Sequence, residues 1–80
     1  MKLVGYKSDN GIELADGQHI RIYDKRDLEE LVVDGHLEYL PGAFIINNHD
    51  GKKYLLWWYV REENFDEISN RDKYKIEAIL

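Results

Sequence analysis

The side chains of this sequence that could carry out acid–base or metal chemistry are few and widely separated. His19, His36 and His49 form none of the short spacings, such as His-Glu-x-x-His, that place two imidazoles on one metal ion. A metal site would therefore have to be assembled from distant residues. We expect no metal or other cofactor, and we interpret the histidines as exposed or hydrogen-bonded residues at turns and strand ends.

Nucleophilic and phosphate chemistry has equally little support in the sequence. Ser8 and Ser69 are the two serines, and neither lies in a Gly-x-Ser-x-Gly turn that would expose a nucleophile. Four of the six glycines follow Asp or Asn in hairpin contexts, and the glycines form no Gly-rich phosphate-binding loop. Neighbouring acids on a helix diverge by about 100°, so they do not automatically share a site. The sequence predicts a protein that is not an enzyme.

Composition indicates one small charged domain over residues 1–80. Hydrophobic residues make up 44% of the chain and charged residues 34%, and there is no cysteine to form disulfides or thiolate ligands. The amino terminus turns polar too soon for a secretory signal, and the longest apolar run is too short to cross a bilayer. We expect a cytoplasmic protein without membrane contact. The net charge of −5 argues against nonspecific binding of duplex DNA.

The elements that would position a functional surface centre on the apolar run at 54–60. This run reads Tyr-Leu-Leu-Trp-Trp-Tyr-Val and contains both tryptophans. In a β-strand, Trp57 and Trp58 would point to opposite faces of the sheet. An 80-residue chain can cover one face with its own helix, but a second apolar face needs another layer, a closed barrel or another molecule. We expect at least one indole in the core, without a preference between the two.

Gly-containing turns divide the first part of the chain into strands. Three-residue loops ending at Gly11 and Gly17 would place Ile12 opposite Ser8 and Ile20 opposite Ile12. Residues at even positions then share one apolar face, which comprises Val4, Tyr6, Ile12, Leu14, Ile20 and Ile22. Two-residue loops would instead place isoleucines against charged residues.

A helix of about ten residues is predicted after the third strand. Asp24 and Asp27 resemble an acidic capping box, and the apolar residues at positions 28, 31 and 32 recur at helical spacing. Gly35 follows the apolar residues and suits a left-handed helix end.

The rest of the chain predicts further strands. A short strand at 37–40 precedes a turn at Pro41 and Gly42, and segments 43–48 and 53–61 form a hairpin. One helical turn is expected at 64–68. Residues 73–80 alternate as in a half-buried strand, with a helix using Ile76 and Ile79 as the competing interpretation. The predicted fold is α+β: a small, mostly antiparallel sheet of about five or six strands, open or barrel-like, with one helix and one helical turn.

These features predict a non-catalytic protein-interaction module or small regulator. In its simplest form the protein would associate with itself as a homodimer, because a twofold contact buries the same apolar patch twice. The candidate partner-binding residues in the aromatic run are Tyr54, Trp57, Trp58 and Tyr59.

Charge patterning supports two alternatives. Six acids lie between positions 24 and 38, and Glu29 and Glu30 on the predicted helix would let the protein block a basic partner, as an acidic inhibitor or nucleic-acid mimic. Alternatively, lysines near the aromatic strand would bind single-stranded nucleic acid; these are Lys52 and Lys53 with Arg61, and Lys73 and Lys75 on a neighbouring strand. The net charge favours a protein partner over nucleic acid.

Overall fold

The computed structural model describes residues 2–60 and 73–79, without the side chains of Leu28 and Glu29. In chain order the elements are β1 (Leu3–Lys7), β2 (Glu13–Ala15), β3 (His19–Asp24), β4 (Asp27–Leu40), β5 (Ala43–Asn48), β6 (Lys53–Leu55), α1 (Leu56–Val60) and β7 (Tyr74–Ile79). Strands β1 and β2 form a two-stranded sheet, and the other five form a sheet in the order β6-β5-β4-β3-β7. All of the described pairs are antiparallel.

The predicted small, mostly antiparallel sheet is confirmed, and the five-stranded sheet is open. Its two edge strands, β6 and β7, do not pair with each other in the described part of the chain, so the barrel-like alternative is wrong. The content is mainly β. Among the described residues no helix has the length and apolar character needed to cross a membrane.

The first predicted hairpin is confirmed, whereas the second does not form. The Ser8 N–H donates to the Ile12 carbonyl at 2.8 Å, as the loop ending at Gly11 predicts. After β2, however, the chain leaves its partner at Gly17, and the Gly17 N–H donates to the Leu37 carbonyl of β4. Ile20 therefore lies between Gly35 and Ala78, not opposite Ile12.

The alternation of apolar residues nevertheless predicts the core well. Leu14, Ile20 and Ile22 are completely buried, and Val4 and Ile12 pack against them, so the β1–β2 hairpin covers one face of the five-stranded sheet. We call this side the core face and the opposite side the outer face. The other strands and α1 add Val33, Leu37, Ile46, Leu56, Tyr59, Ile76 and Ala78 to the same cluster.

The final strand is confirmed, and the competing helix is wrong. Ile76 and Ala78 of β7 are buried on the core face. Lys75 and Glu77 alternate with them on the outer face and form an ion pair of 2.9 Å. This alternation is the period of two that a half-buried strand requires.

The helix predicted after the third strand is wrong, because this segment is part of β4. Asp24 does not cap a helix but stabilises a tight turn, in which its carboxylate accepts hydrogen bonds from the Arg26 backbone at 2.9 Å and from the Arg26 guanidinium at 2.8 Å. These bonds lower the pKa of Asp24 to about 2. Strand β4 then bulges before Val33, and pairing with β3 and β5 on its two sides overrides the helical spacing of its apolar residues.

Gly35 lies inside β4, in a role different from the predicted helix cap. It pairs with Ile20 on one side and with Asn48 on the other. A Cβ atom at this position would lie 2.2 Å from the Asn47 carbonyl oxygen, so no side chain fits between the two backbones. Glycine is required here by close approach of β5.

The β1–β2 turn covers the free edge of β7. The Asp9 N–H donates to the Ile76 carbonyl at 2.8 Å, and the Asp9 carboxylate accepts from the Ile76 N–H at 2.7 Å. The Asn10 side-chain amide donates to the Ala78 carbonyl at 3.0 Å, and its oxygen accepts from the Ala78 N–H at 3.1 Å. These bonds imitate a neighbouring strand and protect the edge from pairing with another chain.

The hairpin of β5 and β6 is confirmed, but its second strand is shorter than predicted. Gly42 and Gly51 take the positive φ that their turns require. The strand predicted over 53–61 stops at Leu55, and α1 begins at the next residue, Leu56. The helical turn predicted at 64–68 lies outside the described residues.

Candidate docking surface

The two tryptophans lie on α1, where the sequence predicted a strand. Leu56 and Tyr59 face the core, being 2% and 6% exposed, and Val60 packs partly against it. Trp57 and Trp58 are 58% and 47% exposed. The expectation that at least one indole belongs to the core is therefore wrong, and so is the expectation that the two indoles point to opposite faces of a sheet.

The physical reason is the spacing of the residues that α1 buries. Positions 56, 59 and 60 are related as i, i+3 and i+4, the apolar stripe of a helix, and residues 57 and 58 fall on the other side. A continuous apolar run does not distinguish a strand from a helix by its periodicity. The helix brings both indoles outward together.

We define the apolar patch as Leu55, Trp57 and Trp58. Leu55 is 53% exposed and pairs with Ile45 on the outer face of the sheet. Leu40, at the end of β4, lies on the same face and is also exposed. The patch thus combines the end of β6 with the outer side of α1.

The two tyrosines predicted to bind a partner occupy positions closer to the core. The Tyr59 ring meets Tyr54 of β6 and Tyr74 of β7 edge to face, with ring centroids 6.5 and 5.1 Å apart. Burial raises the pKa of Tyr59. Tyr59 thus contacts one ring from each edge strand of the open sheet.

The acidic helix face expected around Glu29 and Glu30 is not present. Glu30 is exposed on β4, and the side chain of Glu29 lies outside what the structure describes. Asp24 is bound by Arg26, and Asp34 lies on the outer face of the sheet beside His19. The acids between 24 and 38 therefore occupy several surfaces instead of one.

The lysines of the nucleic-acid alternative are also separated. Lys53 is in β6 and Lys75 is in β7, at opposite edges of the sheet. Arg61 lies outside the described residues.

Sequence reasoning missed a second site, which is polar and lies on the outer face. We call it the histidine cluster. It consists of His19, Arg21, Asp34, His36 and His49. The Asp34 carboxylate accepts a hydrogen bond from His19 Nε2 and lies 3.4 Å from Arg21 Nε. The rings of His19 and His36 stack with centroids 4.7 Å apart, and His49 Nδ1 lies 3.1 Å from the Asp34 carbonyl. The alternation of side chains along β3 and β4 places the cluster members of these two strands on one face. That alternation reveals the cluster only when the pairing of β3 with β4 is known.

The hydrogen bond from His19 holds the pKa of Asp34 below its ordinary value, although partial burial acts in the opposite direction. Since the unfolded carboxyl has an ordinary pKa of about 4, this bond stabilises the folded chain above that pH. The contribution disappears as pH falls through the lower folded-state pKa.

We predict that His19→Leu, which removes the hydrogen-bond donor, raises the pKa of Asp34 toward its ordinary value. The measurement is an NMR titration of the Asp34 carboxyl carbon. Asp50 provides an internal control, because the backbone N–H of Lys52 is the main cause of its lowered pKa. An Asp34 titration unchanged by His19→Leu would contradict the assigned cause.

Within residues 2–60 and 73–79, no group of three or more His, Asp or Glu side chains is arranged to hold a metal ion. The stacked rings of His19 and His36 are tilted by 17°, so they lie nearly parallel and their in-plane lone pairs do not converge on one point. Comparison of the chain with protein-family models, curated proteins and solved structures finds no match.

Proposed function

We propose that this protein is a non-catalytic interaction module that associates with a second copy of itself through the apolar patch. The observation that carries the proposal is the exposure of Trp57 and Trp58, at 58% and 47%, on a helix whose other side is anchored in the core. Tryptophans held in a fixed position are the residue type that contributes most to protein interfaces.

The size of the patch suits a weak symmetric dimer. A buried indole contributes on the order of 200 Å², so two half-exposed indoles and Leu55 offer roughly 300 Å² per protomer. A twofold contact uses this area twice, giving roughly 600 Å² of the 1,200–2,000 Å² typical of a specific interface. We expect a weak, transient dimer, because this area is smaller than that of a stable specific interface.

A second copy fits the patch better than a strongly charged partner does. The three residues of the patch carry no charge, so their burial requires no oppositely charged surface. Separation of the acids on β4 from one another leaves the acidic-inhibitor alternative with less support than the patch has. Lys53 and Lys75 lie on the two different edge strands of the sheet, so binding of single-stranded nucleic acid at the aromatic run also has less support than the dimer.

The test is light scattering on the full chain from about 10 µM to about 1 mM. We predict that the mass of the wild type rises toward that of a dimer, and that Trp57→Glu and Trp58→Glu each weaken association at least tenfold while circular dichroism stays unchanged. Leu3→Glu is the matched control, because Leu3 is 51% exposed on β1, in the separate two-stranded sheet, and should leave the dimer intact.

Two results would overturn the proposal. One is a wild-type chain that keeps the monomer mass over the whole concentration range. The other is a dimer that both tryptophan variants still form at wild-type strength. If either tryptophan variant fails to fold, Leu55→Glu tests the same patch from β6.

A further inference from the structure

The histidine cluster brings all three histidines of the chain close to one residue, Asp34, or to one another. His19 and Arg21 approach the Asp34 side chain from β3, and both the backbone N–H and the ring of His49 approach its carbonyl, at 3.0 and 3.1 Å. His36, next but one to Asp34 along β4, stacks on His19. Five side chains from two strands and a turn thus converge on one part of the outer face.

The hydrogen bonds of the cluster fix which ring nitrogens remain available. An ionised carboxylate and a backbone carbonyl can only accept hydrogen bonds, so His19 Nε2 and His49 Nδ1 are the donors. The other nitrogen of each ring is then left for a proton or a ligand. Among the described residues, neither nitrogen of His36 makes a hydrogen bond, and Arg21 Nε is buried without a hydrogen-bond acceptor. The cluster therefore holds more potential donors than it has acceptors.

Among the residues that the structure describes, the charges around the cluster balance while the imidazoles are neutral. Arg21 is offset by Asp34 and Lys75 by Glu77. Two further acids and two lysines lie on this face or in the turn beside it: Glu38 on β4, Lys53 on β6, and Asp50 and Lys52 in the β5–β6 turn. The other polar side chains facing the cluster are uncharged, and they are Tyr23 on β3 and Asn47 on β5.

Protonation of the imidazoles upsets this balance. Each imidazole that takes a proton adds one positive charge, so protonation of all three rings adds three positive charges to this face. Two stacked imidazolium rings with centroids 4.7 Å apart repel each other, and one carboxylate shared with Arg21 is too little negative charge to offset them all. An anion lying across the rings would supply the missing negative charge and accept the free N–H groups.

We propose that the histidine cluster is a pH-dependent binding site for a tetrahedral oxyanion of the phosphate class. Arg21 and the protonated rings of His19, His36 and His49 donate hydrogen bonds to its oxygens, and charge-assisted bonds of this kind are the strongest that proteins make. The site is distinct from the apolar patch, so it does not depend on the proposed dimer. The phosphate group could belong to a small free anion or to the backbone of a single-stranded nucleic acid.

The experiment uses sulfate as the first probe, because its charge stays constant across the pH range and any pH dependence then reports on the protein. We predict that sulfate binds about tenfold more tightly at pH 6 than at pH 8 at constant ionic strength, with NMR shifts centred on the imidazole C–H groups of the cluster. His36→Gln removes one protonatable ring and should weaken binding at pH 6 about tenfold. Lys25→Gln removes an exposed cation from the β3–β4 turn and should leave binding unchanged.

A second titration with a deoxythymidine decamer at the same ionic strength distinguishes the two sources of phosphate. Tighter binding of the decamer than of sulfate, lost in His36→Gln, assigns the site to nucleic-acid backbones. Binding of sulfate without the decamer assigns it to a small oxyanion. The proposal is overturned if neither probe binds at pH 6, or if His36→Gln binds both as well as the wild type does. A Trp57→Glu variant that stays monomeric but still binds sulfate separates this site from the dimer interface.

Discussion

Replacing Gly35 by alanine is expected to lower the free energy of unfolding by about 3 kcal/mol or more, or to abolish cooperative folding. The added Cβ would lie 2.2 Å from the Asn47 carbonyl oxygen and 2.9 Å from the Asn48 Cα, both backbone atoms of the neighbouring strand. Backbone in the middle of a five-stranded sheet cannot move aside without breaking the pairing of β4 with β5. Chemical denaturation of the two proteins measures the difference.

Gly42→Ala is the matched control for this prediction. Gly42 has a φ of 87° and nothing within 4 Å of the position that a Cβ would take. Alanine there suffers the strain of a left-handed backbone conformation, about 1–2 kcal/mol, but no steric overlap. If Gly35→Ala proves no more destabilising than Gly42→Ala, then β4 and β5 are not as close at this point as the structure places them.

Gly35 also shows where prediction from sequence reaches its limit. The pair Asp34-Gly35 resembles the other Asp-Gly turns of the chain, and after a run of apolar residues it is typical of a helix end. Its actual role depends on how close β5 lies to β4, which is a tertiary property. Nothing in the neighbouring residues indicates that a side chain at position 35 would overlap the backbone of β5.

Alternation, by contrast, predicts much of the core because it depends on the strand geometry alone. Leu14, Ile20 and Ile22 are buried as their even positions predict, although the hairpin expected to bring the first two together does not form. The pairing partners of a strand depend on distant segments, and β3 has β4 on one side and β7 on the other. Burial of a strand face is thus easier to predict than strand order.

The sequence predicts the tryptophans of the apolar patch but not the histidine cluster, because a site made of distant segments depends on strand pairing. The aromatic run attracts attention by composition, so Trp57 and Trp58 are recognised as a candidate surface even though their secondary structure is predicted incorrectly. The histidine cluster has no local signature, because its members come from β3, β4 and the β5–β6 turn. It becomes visible once His19 is paired with His36.

The residues on either side of the β6–α1 boundary provide the second strong prediction. Leu56→Ala is expected to lower the free energy of unfolding by about 2–5 kcal/mol, because Leu56 is 2% exposed within the core cluster. Leu55→Ala, the identical change one residue earlier, should cost no more than about 0.5 kcal/mol because Leu55 is 53% exposed. Urea denaturation of both variants measures the two costs.

Two further variants show whether this segment is a helix or continues as a strand. In a strand, Trp58 shares a face with Leu56, and Tyr59 points the other way. In α1, Tyr59 shares the buried face with Leu56, so Tyr59→Ala should be far more destabilising than Trp58→Ala. The opposite order would restore the strand, place one indole in the core and remove the adjacent pair of exposed tryptophans on which the proposed dimer depends.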